Sequence, residues 1–187
     1  ARQKLGNVKV YFSVFNSVDN NIIDLKADLE VLNTYFTFNK LTLNAEKTKY
    51  MYFHSRQKLL SYSGSVVLDS RIIEQVSNIK YLGIFLDSHL TWKDHIEFLW
   101  AKISSMIGLL FKVKDFLSIS KRKLIYFSLI HSNLSYLSSI WGVACFSHIR
   151  HLQVLQNRAL KIVFDLPRPY SSVALYTINA KRPIKGL

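Results

Sequence analysis

Between Ile96 and Leu117 the apolar residues Ile96, Leu99, Ile103, Met106, Leu110, Val113 and Leu117 recur at steps of three and four. Only a helix packed against other helices can bury a stripe of that length, because a strand would turn alternate side chains to opposite faces. The period changes near Asp87–Thr91. Before that point "VKVYFSVF" at 8–15, Lys49–Phe53, "SVVLDSRIIEQV" at 65–76 and "IKYLGIFLD" at 79–87 read as strands, the third as a hairpin turning at Asp69-Ser70. Gly83 inside the last run suggests a bulge or a close backbone approach. Ile22, Leu25, Leu29, Leu32 and Phe36 make one amphipathic helix to about Phe38, after the turn-like "NSVDNN" at 16–21. Beyond the boundary, Ser118 or Ser120 can cap a helix running to Ile140. Ser147 can cap another, with Ile149, Leu152, Leu155, Ala159 and Ile162 facing inward. The fold class read here is α+β: short antiparallel strands plus one amphipathic helix over 1–90, an all-helical bundle over 91–166, and a loose tail over 167–187 containing Pro167, Pro169 and Pro183.

Charge divides along the same line. The chain has 187 residues and a formal net charge of +13. Residues 101–187 hold 13 Lys/Arg against 2 Asp/Glu, whereas residues 1–100 hold 12 against 10. Such asymmetry points to a polyanion, with a merely solvated basic face as the bland alternative. Lys112, Lys114, Lys121, Arg122, Lys123, Arg150, Arg158 and Lys161 are the expected phosphate contacts, concentrated on "SKRKL" at 120–124. Residues 124–149 carry no Lys, Arg, Asp or Glu, but Ser128, His131, Ser132, Ser135, Ser138 and Ser139 give the segment a polar stripe, so no membrane span is expected. Cys145, His148 and His151 stand three apart without a fourth ligand, and read as a packed cysteine with two histidines rather than a metal site. One cysteine excludes an internal disulfide framework and fits an intracellular, nuclear or cytoplasmic setting. No phosphate-binding glycine loop or nucleophile elbow occurs. Ala1 in place of a starting Met suggests a piece of something longer.

Several motifs taken together carry a family likeness. "YFTFNKLTLNAEKTKYMYF", a strand pair, "KYLGIFLD", "LTWKDHI" and, at 151–163, "HLQVLQNRALKIV" follow in an order and spacing that resembles the C-terminal palm and thumb of reverse transcriptases of non-LTR retrotransposons, the LINE and jockey-like elements. The likeness covers about residues 8–166. It implies a partial palm over 1–90 and a thumb over 91–166. It sets Lys47 at the family's motif D lysine, near the incoming triphosphate, and Tyr81, Leu82 and Gly83 in motif E, the primer grip. On its residues alone, Lys47 reads first as a solvated lysine in a polar turn, and only the likeness favours the triphosphate role.

The likeness also exposes a departure. Polymerase chemistry needs carboxylates to hold two Mg²⁺ ions. The family's aspartate pair falls, by counting back from the palm helix, at Leu5-Gly6-Asn7-Val8, where neither aspartate stands, and Asp19, Asp24 and Asp28 belong to a turn and an outer helix face. The expectation is therefore a fragment or decayed remnant of an RNA-directed DNA polymerase, inactive alone and without a cofactor of its own. It would keep RNA or DNA, as a primer–template duplex, for a partner, together with any separate chain supplying the missing palm and fingers. A protein-interaction or scaffold remnant, and a fragment without function, are the competing classes.

Overall fold

A computed structural model of the chain describes residues 3–4, 18–42, 44, 47–57, 65–68, 71–167 and 169–171. The expected strand at 8–15, the turn at 69–70 and the tail from 172 lie outside them. Two compact units form, one of Ala1–Ile79 with Asp87–Leu90, the other of Lys80–Leu86 with Thr91–Leu187.

The first unit is mixed α and β. Strand β1 (Gln3–Lys4), helix α1 (Val18–Phe38) and strand β2 (Leu41–Thr42) form a crossover in which β1 and β2 pair in parallel, Gln3 with Leu41 and Lys4 with Thr42. Strand β3 (Lys49–Tyr50) pairs in parallel with β5 (Arg71–Gln75), whose other edge takes β4 (Val66–Leu68) antiparallel. Of these described pairs, β4–β5 keeps the expected antiparallel arrangement and the other two do not. The parallel pairs are possible because long connections, α1 in one case and residues 51–70 in the other, carry the chain back to the same end of its neighbour. Strand β3 is also shorter than expected, since residues 51–55 leave the ladder. Leu29, Tyr50, Met51, Val66 and Ile73 are buried, while Leu32 and Phe36 are half-buried and Val31, Tyr35 and Phe38 exposed, so α1 from Lys26 onward sinks only a narrow face.

The run at 79–87 is not one bulged strand. Strand β6 (Asn78–Tyr81) and strand β7 (Ile84–Asp87) pair as a hairpin whose two-residue turn is Leu82-Gly83, with φ of 46° and 87°. Positive φ at both central residues marks the turn whose twist matches that of a hairpin, and it explains the glycine. A Cβ at Gly83 would meet Tyr136 Cε1 at 3.5 Å, an ordinary contact, so the constraint there is the backbone. Gly83→Ala should therefore cost about 1–2 kcal/mol, read as a lower urea midpoint; an unchanged midpoint would contradict this turn.

The second unit is helical. Helix α2 (Lys93–Val113) runs into a 3₁₀ turn at Lys114–Phe116, followed by α3 (Ile119–Ile125), a π-helical turn at Tyr126–His131, α4 (Ser132–Ser135), α5 (Ser138–Trp141) and α6 (Phe146–Val163). Ile96, Leu99, Ile103 and Leu110 of the stripe are buried, together with Ile107, and α6 buries Ile149, Leu152, Leu155, Ala159, Leu160 and Val163 against the same core. Helix α3 starts at Ile119 with Ser118, one of the two expected serines, at the cap position, though without a side-chain cap bond. Two boundaries differ from expectation. Helix α6 starts at Phe146 with Cys145, not Ser147, at the cap position, again without a side-chain cap bond. The single helix expected up to Ile140 instead contains the π turn and breaks at Tyr136–Leu137, where Leu137 takes φ 51°. That break serves packing. It lets Trp141 enter the core, fully buried, with Nε1 donating to Tyr136 O at 2.9 Å. The serines of the expected polar stripe fold back on their own helix, Ser128 onto Leu124 O and Ser135 onto His131 O, each at 2.8 Å. No described helix is long and apolar enough to cross a membrane.

Two polar groups sit inside this core. Gln156 Nε2 donates to the buried Tyr126 hydroxyl at 3.2 Å, and Gln153 Nε2 donates to Gln156 Oε1 at 3.1 Å, so the α6 amides give the Tyr126 hydroxyl of the π turn a buried partner. His95, from the "LTWKDHI" motif, is 2% exposed with neither ring nitrogen hydrogen-bonded, and its ring lies edge-on to Trp141 at 5.8 Å.

Candidate nucleic-acid interface

Lys47 stands on a tight turn organised by one carbonyl. Asn44 O accepts from Lys47 N at 3.1 Å, Thr48 N at 3.0 Å and Thr48 Oγ1 at 2.8 Å. Thr48 is buried and Lys47 exposed, so the turn fixes the backbone and sends the ammonium outward.

In the second unit the Leu82-Gly83 turn is held from the core outward. Trp141 anchors the Tyr136 carbonyl, and the Tyr136 hydroxyl donates to Leu82 O at 2.8 Å. Leu82 and Gly83 are exposed at the tip and Tyr81 is half-buried.

The basic residues fall into two groups. Lys112, Lys121, Arg150 and Arg158 are exposed. Lys112 lies in the last turn of α2, where a cation complements the helix dipole. Lys114, Arg122 and Lys123 are engaged within the protein. Lys114 Nζ pairs with Asp165 Oδ1 at 2.9 Å and with Asp115 Oδ1 at 3.7 Å. The hydrogen bond to Asp165 raises the Lys114 pKa, and the same bond holds the Asp165 carboxyl below its ordinary value. Arg122 Nε donates to Leu117 O at 2.9 Å, with Nη1 buried and unbonded, and Lys123 Nζ sits 5.0 Å from the centroid of the Phe164 ring. Lys161, on α6, is half-buried. The "SKRKL" corner thus leaves Lys121 as its outward cation, because the other two hold the helix to its neighbours.

A further basic and aromatic cluster was not singled out from the sequence. Lys80 Nζ lies 5.3 Å from the Phe85 ring and 5.2 Å from the Phe98 ring, and those rings are 5.2 Å apart. Lys102 Nζ lies 5.8 Å from the Phe98 ring and donates to Asn133 Oδ1 at 2.7 Å. The Phe98–Lys102 spacing of four on α2 was its only visible signal.

Among the described residues no group of three or more His, Cys, Asp and Glu side chains could hold a metal ion. Cys145 is exposed, and the hydrogen bond from the Ser147 hydroxyl draws its pKa down.

No family model matches the chain, and no solved structure matches it. Curated proteins do. The probable RNA-directed DNA polymerase from transposon X-element of Drosophila melanogaster is 30% identical over 101 residues, which are 52% of this chain and 11% of that protein. The RNA-directed DNA polymerase from mobile element jockey of the same organism is 31% identical over 132 residues, 67% of this chain and 14% of that protein. The probable RNA-directed DNA polymerase from transposon BS is 29% identical over 130 residues, 68% and 14% respectively. The matches therefore span between a tenth and a seventh of those relatives. Over half to two thirds of its length, this chain is similar to a segment of the reverse transcriptases of non-LTR retrotransposons, the family its motifs resemble.

Proposed function

We propose that this chain is part of a non-LTR retrotransposon reverse transcriptase, that its helical unit holds the primer–template duplex as a thumb, and that its first unit is a palm remnant. The observation that carries the reading is the similarity to RNA-directed DNA polymerases. The charge supports it: 13 Lys/Arg against 2 Asp/Glu over 101–187, with Lys112, Lys121, Arg150 and Arg158 exposed. Phosphates would be bound without base contacts, so affinity should depend little on sequence. Lys47 and the Tyr81–Gly83 turn would meet triphosphate and primer in the assembled enzyme, where palm and fingers come from elsewhere. The setting is intracellular, nuclear or cytoplasmic.

The chain by itself extends no primer on this reading, because Leu5-Gly6-Asn7-Val8 stands where the aspartate pair belongs. Two assays test the proposal together. A labelled RNA–DNA primer–template should bind in a fluorescence-anisotropy titration, and unlabelled duplexes of unrelated sequence should compete about equally. Added dNTPs with Mg²⁺ or Mn²⁺ should give no extension. Duplex binding that fails at low salt would refute the thumb role, and template-dependent extension would refute the loss of catalysis.

A further inference from the structure

The first unit holds a histidine pair that duplex binding does not use. His54, past the end of β3, and His89, past the end of β7, meet edge to face with ring centroids 4.5 Å apart and planes at 74°. Backbone bonds fix both positions. His54 N donates to Ser88 O at 3.0 Å, and Ser88 N donates to Ser77 O at 2.9 Å.

Each ring is also oriented by a carbonyl. His54 Nδ1 lies 3.0 Å from Ser55 O, and His89 Nδ1 lies 3.0 Å from His54 O. A carbonyl oxygen only accepts, so Nδ1 carries the proton in both rings and each neutral imidazole presents the lone pair of Nε2. Metal-bound histidines are held in the same way, with the second ring nitrogen donating to a backbone carbonyl or a carboxylate. The ring separation fits as well. Two imidazoles on one tetrahedral ion, at metal–nitrogen distances of about 2.0–2.1 Å, place their centroids roughly 5 Å apart. A cavity of about 400 Å³ is lined by His54 together with Gln75, Ser77 and Ser88. It has room for water or a small ligand on such an ion, and amide and hydroxyl groups to hydrogen-bond it.

We propose that His54 and His89 bind a divalent transition-metal ion of the zinc class through their Nε2 atoms, with water or a small ligand from the cavity in the remaining positions. Imidazole suits Zn²⁺, Ni²⁺ and Cu²⁺, whereas Mg²⁺ takes oxygen ligands, so this ion is distinct from the pair that polymerase chemistry uses. Bound there, it cross-links the segment after β3 to the residues after β7. The chain supplies two ligands, fewer than the groups of three or more that are absent among the described residues, so the ion is held less tightly than in a closed structural site. The competing account has His89 serving only as a stand-in for a backbone donor to His54 O, with the ring contact as packing.

Calorimetric titration of the full chain with zinc chloride decides between them, beside His54→Gln, His89→Gln and a Cys145→Ser/His151→Gln control that removes a thiol and an imidazole elsewhere. The parent should take up one zinc ion, the control should do the same, and each single histidine variant should bind it at least about tenfold more weakly. A large excess of Mg²⁺ should leave zinc binding unchanged. Because a variant that unfolds also loses zinc, the parent supplies a second readout. In metal-free protein labelled with ¹⁵N-histidine, the His54 and His89 rings should carry their proton on Nδ1, and zinc should shift the Nε2 resonances of both. A parent that takes up no zinc overturns the proposal. So does either histidine variant binding like the parent, a control that loses the ion, displacement by Mg²⁺, or an Nε2 proton on either ring.

Discussion

Trp141→Ala should lower the stability of the helical unit by on the order of 4 kcal/mol. Its indole is fully buried, contacts His95 and donates to the Tyr136 carbonyl, so truncation leaves a large cavity and an unpaired acceptor. In a chain of this size the loss corresponds to roughly 10 °C in thermal midpoint. The damage should also reach the hairpin, because the same carbonyl belongs to the tyrosine whose hydroxyl holds Leu82. Trp141→Phe, which keeps most of the volume but not the donor, should fall between. Differential scanning calorimetry of the three proteins checks the order; a Trp141→Ala protein melting with its parent would mean that Trp141 does not fill this core.

Acid should weaken the same unit through His95. Burial lowers its pKa from 6.5 to about 4, so the folded protein keeps the ring neutral while the unfolded chain protonates it first. The unfolded state therefore binds more protons between those values. The neutral histidine exerts its full stabilising effect above pH 6.5, and that contribution is lost as pH falls toward 4, amounting to about 3 kcal/mol over the window. His95→Phe cannot titrate, so the difference between parent and variant stability should slope through this window and flatten above it. Urea unfolding at several pH values gives that difference directly. Comparing the two proteins isolates His95 from Asp165, whose lowered pKa also removes stability in acid but is common to both. Parallel pH profiles would mean that His95 is not buried as neutral imidazole.

Periodicity made the helical unit legible where burial follows spacing. Ile96, Leu99, Ile103 and Leu110 are inside because a stripe on a long helix has only one way to leave water. Strand direction was not legible, since alternation looks the same in parallel and antiparallel pairs, and β3–β5 depends on where the connection brings the chain. The Leu82-Gly83 turn was hidden because leucine continues the apolar run, and no Asn-Gly or Asp-Gly announced it. The break at Leu137 carries no glycine or proline, and packing of Trp141 overrides local preference there. Charge counting located the basic half but could not tell occupied cations from outward ones. Lys114 meets Asp165 across 51 positions, and Lys80 meets Phe98 from another element.

The account stands most directly on the salt dependence of duplex binding by the full chain. If the basic residues of the helical unit, Lys112, Lys121, Arg150 and Arg158 outermost, make about five to seven phosphate contacts, a plot of log affinity against log salt should be linear, with a slope on the order of −5. Affinity should then fall about a thousandfold between 50 and 200 mM salt. A flat plot, with binding unchanged across that range, would contradict a phosphate-gripping thumb.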